Sequence, residues 1–257
     1  MIAGAMATFP PRLPGLRRVL DGIAGQIERL TLVLNEIAEI PGWLAEFHSV
    51  DPILPERDLK DTGKFAAPPG PEDWLFTLDD DILYPPDYVA RTIASMEAQP
   101  CRAMGGYHGS LYRHPRFLKS AFLRRVLGYN PNYIVCSRDI LHFEARLDGP
   151  VVVDELGSGV AVMRGADIPP MDYMAGAQRF ADVRLARWCH EQGIVQICLP
   201  RQAGWLKSDR DTAPEGAIFE TFTVTNPAHV AREIDTYAFR KPGRGRPPVA
   251  RMHAGQS

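Results

Sequence analysis

Three consecutive carboxylates, Asp79, Asp80 and Asp81, follow the apolar run Trp74 to Leu78 (WLFTL) and precede Ile82-Leu83-Tyr84-Pro85-Pro86. Side chains alternate along an extended chain, so Asp79 and Asp81 share one face while Asp80 points away. Each close carboxylate pair repels by about 1 kcal/mol even at the dielectric of water, and by more near a protein interior. A hard divalent cation removes that repulsion, and magnesium-type ions are held by one or two carboxylates together with substrate phosphates. The competing reading is an acidic loop whose charges are solvated. The placement directly after a buried strand and before a helix opened by proline favours the cation.

Four further features carry chemistry. Asp182 precedes Val183, Ala186 and Cys189, a pattern that starts a helix; the positive end of the helix dipole would keep its carboxylate ionised, while capping is the bland alternative. The turn Gly157-Ser158-Gly159 permits close approach of backbone to a ligand, or is an ordinary connection between strands. His108 and His142 are isolated, and an isolated histidine is more often a hydrogen-bonded structural residue than a ligand. Trp205 offers an aromatic face to a ligand, although core packing is the commoner fate of an indole.

The elements that must position these groups alternate between strand and helix. A first strand starts almost at Met1, and Leu13, Leu16, Val19, Leu20, Ile23 and Ile27 then fall on one helical face. Leu30 to Leu34 reads as a buried strand ended by Asn35. Residues 51–73, rich in Pro, Gly and Asp, read as a loop region with little regular structure. Val89, Ile93 and Met96 support a helix after Pro85-Pro86. Val151 to Val153 and Gly159 to Met163 read as strands, residues 180–192 as a helix, and Ile194 to Leu199 as a strand. The alternation predicts a single α/β domain with a mainly parallel central sheet flanked by helices, in which ligands bind beyond the carboxyl ends of the strands.

Composition narrows the function classes. The 257 residues are 45% hydrophobic and 23% charged, with a formal net charge of −2, a balance that argues against a nucleic-acid binder. No run approaches the roughly 18 apolar residues of a bilayer span, and the first residues lack the basic region of a signal peptide. The four cysteines show no CxxC pair, so they read as reduced thiols of a cytoplasmic protein. Residues 113–128 form a basic, partly amphipathic segment. Residues 240–257 carry five basic side chains, three prolines and three glycines, which predicts a disordered tail after a domain of residues 1–239. Both basic segments suggest peripheral contact with the inner face of a membrane.

An ordered set of motifs resembles the GT-A-fold glycosyltransferases, specifically bacterial proteins of the family 2 type. Ala7-Thr8-Phe9-Pro10-Pro11-Arg12 resembles the family's opening strand and Arg-bearing loop, and Leu32-Val33-Leu34-Asn35 its second strand. Asp61-Thr62-Gly63-Lys64-Phe65 resembles a D-x-G-K-F segment ahead of DDDI-YPPDY in one bacterial subgroup. Gly106-Tyr107-His108-Gly109 and Leu156-Gly157-Ser158-Gly159 resemble that subgroup's HG and L-G-T/S-G turns. Phe180-Ala181-Asp182-Val183 lies where the family places an acidic residue opening a late helix.

The resemblance implies a GT-A-like, Rossmann-like domain that binds a nucleotide-diphosphate sugar, UDP-linked by default, with Mn2+ or Mg2+. It implies Asp81 as metal ligand, Asp79 near metal or ribose, and Asp80 assisting. Thr8, Arg12 and Asn35 would lie beside the nucleotide, and Lys64 near donor phosphate. His108, Gly157, Ser158 and Trp205 would lie on the acceptor or sugar side, with Asp182 as the catalytic base of an inverting transfer. The acceptor would be a glycan or lipid-linked saccharide, and the lack of a clear QxxRW motif favours single transfer over polymerisation. Two rivals remain at this level: a sugar-phosphate nucleotidyltransferase, and a non-catalytic carbohydrate-binding protein on the same fold.

Overall fold

The computed structural model describes residues 1–113, 137–209 and 227–249. An eight-stranded sheet forms its centre, in the order β3-β2-β1-β4-β11-β6-β12-β9. Its strands are β1 (Ile2–Thr8), β2 (Arg29–Leu34), β3 (Val50–Ile53), β4 (Trp74–Leu78), β6 (Ala103–Gly106), β9 (Val151–Val152), β11 (Val160–Arg164) and β12 (Val195–Cys198). β3, β2, β1, β4, β6 and β12 run one way; β11 and β9 run against them. β5 (Ile82–Leu83) forms a ribbon with β13 (Lys207–Ser208), and β7 (Gly109–Tyr112), β8 (Arg138–Leu141) and β10 (Glu155–Leu156) form a small second sheet. The sequence pattern reads β1, β2, β4, β9, β11 and β12 correctly, because each is a short apolar run that the sheet buries on both faces.

Helix α1 (Leu13–Ile23) lays Leu16, Val19, Leu20 and Ile23 into the core beside β1, β2 and β4. Helix α2 (Tyr88–Glu97) starts two residues after Pro86, not at the proline, and the side chain of Gln26 fixes that start. Its Oε1 accepts from Val89 N at 3.0 Å, satisfying one of the helix's orphan donors, while its Nε2 donates to Pro85 O at 2.8 Å. The short α3 (Met171–Met174), α4 (Ala181–Glu191) and α5 (Ala228–Ile234) lie on the other side, with their own core around Ala181, Leu185, Cys189, Val230 and Ile234.

Two sequence expectations meet a different outcome. Residues 51–73 are more ordered than their Pro and Gly content suggests. They contain most of β3, where Pro52 is tolerated because the strand is an edge, and a 3-10 turn, Lys60–Phe65. Residues 240–249, expected within a disordered tail, pack on the body: Lys241 is buried, and Gly245 N and Arg246 O pair with Val152 O and N at 2.8 and 2.9 Å. The few apolar groups there misled the composition argument, because polar pairing holds the segment. The basic segment 113–128 lies, beyond Arg113, outside the described residues. No helix of the described residues is long and apolar enough to cross a membrane.

Candidate functional site

From β1 the chain moves one way to β2 and β3 and then returns to lay β4 on the other side of β1. The carboxyl ends of β1 and β4 therefore flank a topological switch point, the position where open α/β sheets bind ligands. β1 delivers Thr8 and, through a 3-10 turn, Arg12; β4 delivers Asp79, Asp80 and Asp81. β11 runs antiparallel to β4 with Val160 opposite Leu78, which brings the 157–159 turn to the same end.

The acids outnumber their counter-charges. Arg12 Nη1 stands 2.8 Å from Asp81 Oδ2 and its Nε 4.0 Å from Asp80 Oδ1. These contacts are ionic and miss hydrogen-bond geometry, since Arg12 Nε and Nη1 are buried without a hydrogen-bond partner. Thr8 stands close enough to Asp80 to favour its ionised form, yet neither Thr8 Oγ1 nor Asp80 Oδ2 completes a hydrogen bond. Burial pushes Asp80 up to about 7, with Asp81 and Asp79 adding to the rise. Burial, and then the charge of Asp79, also raises Asp81. Buried polar atoms are nearly always paired, so four orphan atoms in one place mark a site built for a polar group that the chain does not supply.

Lys64 rises from the 3-10 turn into the middle of this cluster. Its ammonium pairs with Asp79 Oδ1 and lies 3.4 and 3.3 Å from Ser158 O and Oγ. Burial lowers its pKa, but Asp79, Asp182 and Asp61 together outweigh that and hold it above the ordinary value. Lys64 bridges the aspartate triplet to the 157–159 turn. Ser158 N in turn donates to Asp182 Oδ1 at 2.9 Å, and burial raises Asp182 to about 6 against the pull of Lys64. Asp182 sits in the first turn of α4 but does not cap it. The amides of Arg179 and Ala181 donate to Asp61 at 2.7 and 3.1 Å, so the capping of this helix end falls to a distant residue of the Lys64 turn.

Gly159 explains its own identity. A Cβ there would stand 1.8 Å from Asp79 Oδ2, so the close approach that the glycine-flanked turn suggests is to a carboxylate of the site itself. A Cβ on Gly157 would meet His108 Cβ at 3.4 Å. His108 lies half-buried beside that turn, and burial, reinforced by His142, Arg138 and Arg201, lowers it to about 4. It is therefore a neutral imidazole near neutral pH, able both to donate and to accept.

Two expected site residues serve the scaffold. Asn35 Oδ1 accepts from Leu59 N at 2.9 Å and its Nδ2 donates to Lys60 O at 3.2 Å, so it anchors the loop that presents Lys64. Trp205 packs against Tyr107 and Tyr88, donates to Asp87 Oδ1 at 2.9 Å, and carries the Arg91 guanidinium 4.7 Å from its ring centroid. Sequence reasoning missed Tyr84 and the role of Asp61. The buried Tyr84 hydroxyl donates to Gly159 O at 2.6 Å and accepts from Asp79 N at 2.8 Å, locking the triplet to the turn. A tyrosine five residues past Asp79 gives no local signal of that contact.

A cavity of about 350 Å³ lined by Ile40, Leu44, Phe47, His48 and Val50 lies at the β3 edge, away from every carboxylate named above. It carries no group suited to catalysis beyond one histidine, and the orphan polar atoms at the switch point are the better mark of a site. No protein-family model matches the chain, and no curated protein matches it.

Proposed function

We propose that the chain is a divalent-cation-dependent glycosyltransferase that moves a sugar from a nucleotide diphosphate to an acceptor hydroxyl on a GT-A-like fold. The observation that carries the reading is the pairing of two carboxylate stations through Lys64 and Ser158. One is the strand-end triplet Asp79–Asp81; the other is Asp182, poised with a pKa of about 6. The residues fit a hard cation. No group of three His, Cys, Asp or Glu side chains converges as a cage among the described residues, and an ion of this type needs only one or two carboxylates when phosphate oxygens complete its shell. Asp79 and Asp81 keep partly exposed carboxylates, and Arg12 and Lys64 leave the acids in excess.

When bound, the cation would neutralise charge on the leaving diphosphate, so no acid is required there. Asp182, ionised above about pH 6, takes the proton of the attacking hydroxyl, as a base with a pKa near the working pH does best. The Ser158 amide fixes Oδ1 of that carboxylate and so orients it. Thr8, Arg12 and Asp80 hold the orphan donors and acceptors that a nucleotide would satisfy. UDP is the default nucleotide and a glycan or lipid-linked saccharide the acceptor class.

Titration calorimetry of UDP with and without manganese, on the wild-type chain and on Asp81→Ala, tests the reading together with a donor-hydrolysis assay. Manganese-dependent binding that Asp81→Ala weakens by about a hundredfold, with slow release of free sugar, supports it. Pyrophosphate release from a nucleoside triphosphate and sugar phosphate would point to a nucleotidyltransferase. Saccharide binding with no nucleotide affinity would point to a carbohydrate-binding protein.

A further inference from the structure

Glu155, three residues before Ser158, is buried on β10 with both oxygens answered. Its Oε1 accepts from Arg138 at 2.9 Å, and its Oε2 accepts from the hydroxyls of Tyr112 and Tyr237, each at 2.6 Å. Asp154 beside it accepts from Arg244 Nε at 2.7 and 2.8 Å, from Tyr112 N at 2.8 Å and from Phe239 N at 3.3 Å. Lys241 donates to Asp154 O at 2.9 Å, and Arg244 Nη2 donates to Tyr112 O. Gly245 and Arg246 then pair with Val152 and cover the edge strand β9. Residues 237–246 thus grip residues 152–155 with the side chains of Tyr237, Lys241 and Arg244 as well as with backbone. The helix before this segment, α5, is tied to the helix of Asp182: Arg184 pairs with Glu233, its Nη2 donating to Oε2 at 3.1 Å.

We propose that residues 237–246 are a strap that sets the position of the Ser158 turn, with Tyr237 and Arg244 as positioning residues for the Ser158–Asp182 contact. The inference rests on the proposed role of Asp182 for its consequence in turnover, but not for its geometry. The turn hangs between two fixed points. On one side the Leu156 amide donates to Gln196 Oε1 at 2.9 Å, and Gln196 Nε2 donates to Asp154 O at 3.1 Å. On the other side Lys64 and Asp182 hold Ser158. Asp154 O therefore receives both Lys241 and Gln196, so the strap and the strand that orders the turn share one acceptor. Loss of the strap is expected to free residues 154–158 and to leave β1 and β4 unchanged, because the hydrogen bonds of Tyr237, Lys241, Arg244, Gly245 and Arg246 described above go to residues 112 and 152–155.

Hydrogen exchange read by mass spectrometry on the full chain decides the point without any turnover. Arg244→Met keeps an unbranched stem and removes the pair with Asp154; Arg244→Lys keeps the charge; Tyr237→Phe removes a single donor to Glu155. In Arg244→Met the amides of Leu156, Gly157 and Ser158 are expected to exchange at least tenfold faster, with those of Ile2–Thr8 unchanged and Arg244→Lys largely restoring protection. Tyr237→Phe is expected to give the same local pattern at smaller amplitude, and it decides the matter if Arg244→Met fails to fold. Unchanged exchange at 156–158, or an equal rise in β1, would overturn the strap. In the transfer assay the strap variants are expected to lose kcat with little change in donor KM. A wild-type chain that transfers no sugar would sink the proposed function while leaving the exchange result to stand or fall alone.

Discussion

Two groups of acids, Asp154 with Glu155 and the switch-point set of Asp79–Asp81 with Asp182, are treated in opposite ways. Asp154 and Glu155 have every carboxylate oxygen answered by a side chain or amide of the same chain. At the switch point Asp80 Oδ2, Thr8 Oγ1 and two nitrogens of Arg12 are buried with no hydrogen-bond partner, and burial raises Asp80, Asp81 and Asp182. Residue type does not separate the two groups; completion does. A carboxylate fully paired inside the fold belongs to the architecture, whereas local rules broken together mark a functional place. Glu155 is therefore unsuited to act as a base, since Arg138, Tyr112 and Tyr237 occupy both of its oxygens.

The largest expected effect lies on the incomplete side. Asp182→Asn keeps the shape and still accepts from Ser158 N, but cannot take a proton. Turnover should fall by roughly 10²–10⁴-fold with donor affinity preserved, measured by steady-state kinetics beside calorimetry. For the wild type, kcat/KM should climb with pH through about 6, because the folded carboxylate must lose its proton to work. Near-normal turnover in the Asn variant would return Asp182 to the structural class.

The complete side should fail in the other currency, stability. Glu155→Gln leaves the buried Arg138 charge without its partner, and breaking such a pair costs about 3 kcal/mol or more. Urea unfolding should show that loss, while the fraction that remains folded binds donor as before. Equal damage to donor binding would mean that the two acid groups are not separable.

The sequence exposes the incomplete group far better than the complete one. Asp79–Asp81 are contiguous and follow an apolar strand, so one local pattern is enough to place them at a strand end of the sheet. β1, β2, β4, β11 and β12 were legible for the same reason, being short apolar runs, whereas the central β6 (AMGG) was missed because two glycines leave no such run. Lys64 was placed in the site, but its bridging role needs Ser158, 94 residues away. Asp61 caps α4 across 120 residues, and Arg244 reaches Asp154 across 90; no periodicity carries such contacts. The strap was misjudged because its anchors are Lys, Arg and Tyr, which composition counts as solvated. Trp205 and Asn35 also hold scaffold contacts with no sign in the sequence, to Asp87 and to the loop of Leu59 and Lys60.

Gly159→Ala tests the boundary between the groups. The glycine has no positive φ, so the backbone accepts alanine; the collision is with Asp79 Oδ2 at 1.8 Å. Forcing the carboxylate aside should destabilise the fold by about 2 kcal/mol and also weaken manganese-dependent UDP binding. A variant with wild-type affinity would show that Asp79 does not need its present position, and would shift the weight of the site to Asp81.

The smallest expected effect belongs to the one imperfect member of the complete group. Lys241 is buried, and its ammonium donates to Asp154 O at 2.9 Å with no carboxylate as hydrogen-bond partner among the described residues. Burial lowers it from 10.5 to about 8, against the opposing pull of Cys189, Asp154 and Glu155. Between those two values the unfolded chain keeps a proton that the folded chain has released, so this group makes stability rise with pH across that window; below about pH 8 both states are protonated and the cost of burial is felt in full. The buried thiol of Cys189, pushed up to about 12, titrates in the opposite sense above pH 9, as the folded state then holds the extra proton. Wild type and Lys241→Met must therefore be compared at each pH, so that the common cysteine contribution largely cancels. From pH 7.5 to 9 the wild type should gain about 1 kcal/mol on the variant, read from urea midpoints at constant ionic strength. A difference independent of pH would mean that Lys241 keeps its proton when folded. The strap would then hold a third charged contact alongside Arg244 and the Arg138–Glu155 pair, and would itself count among the fully paired regions.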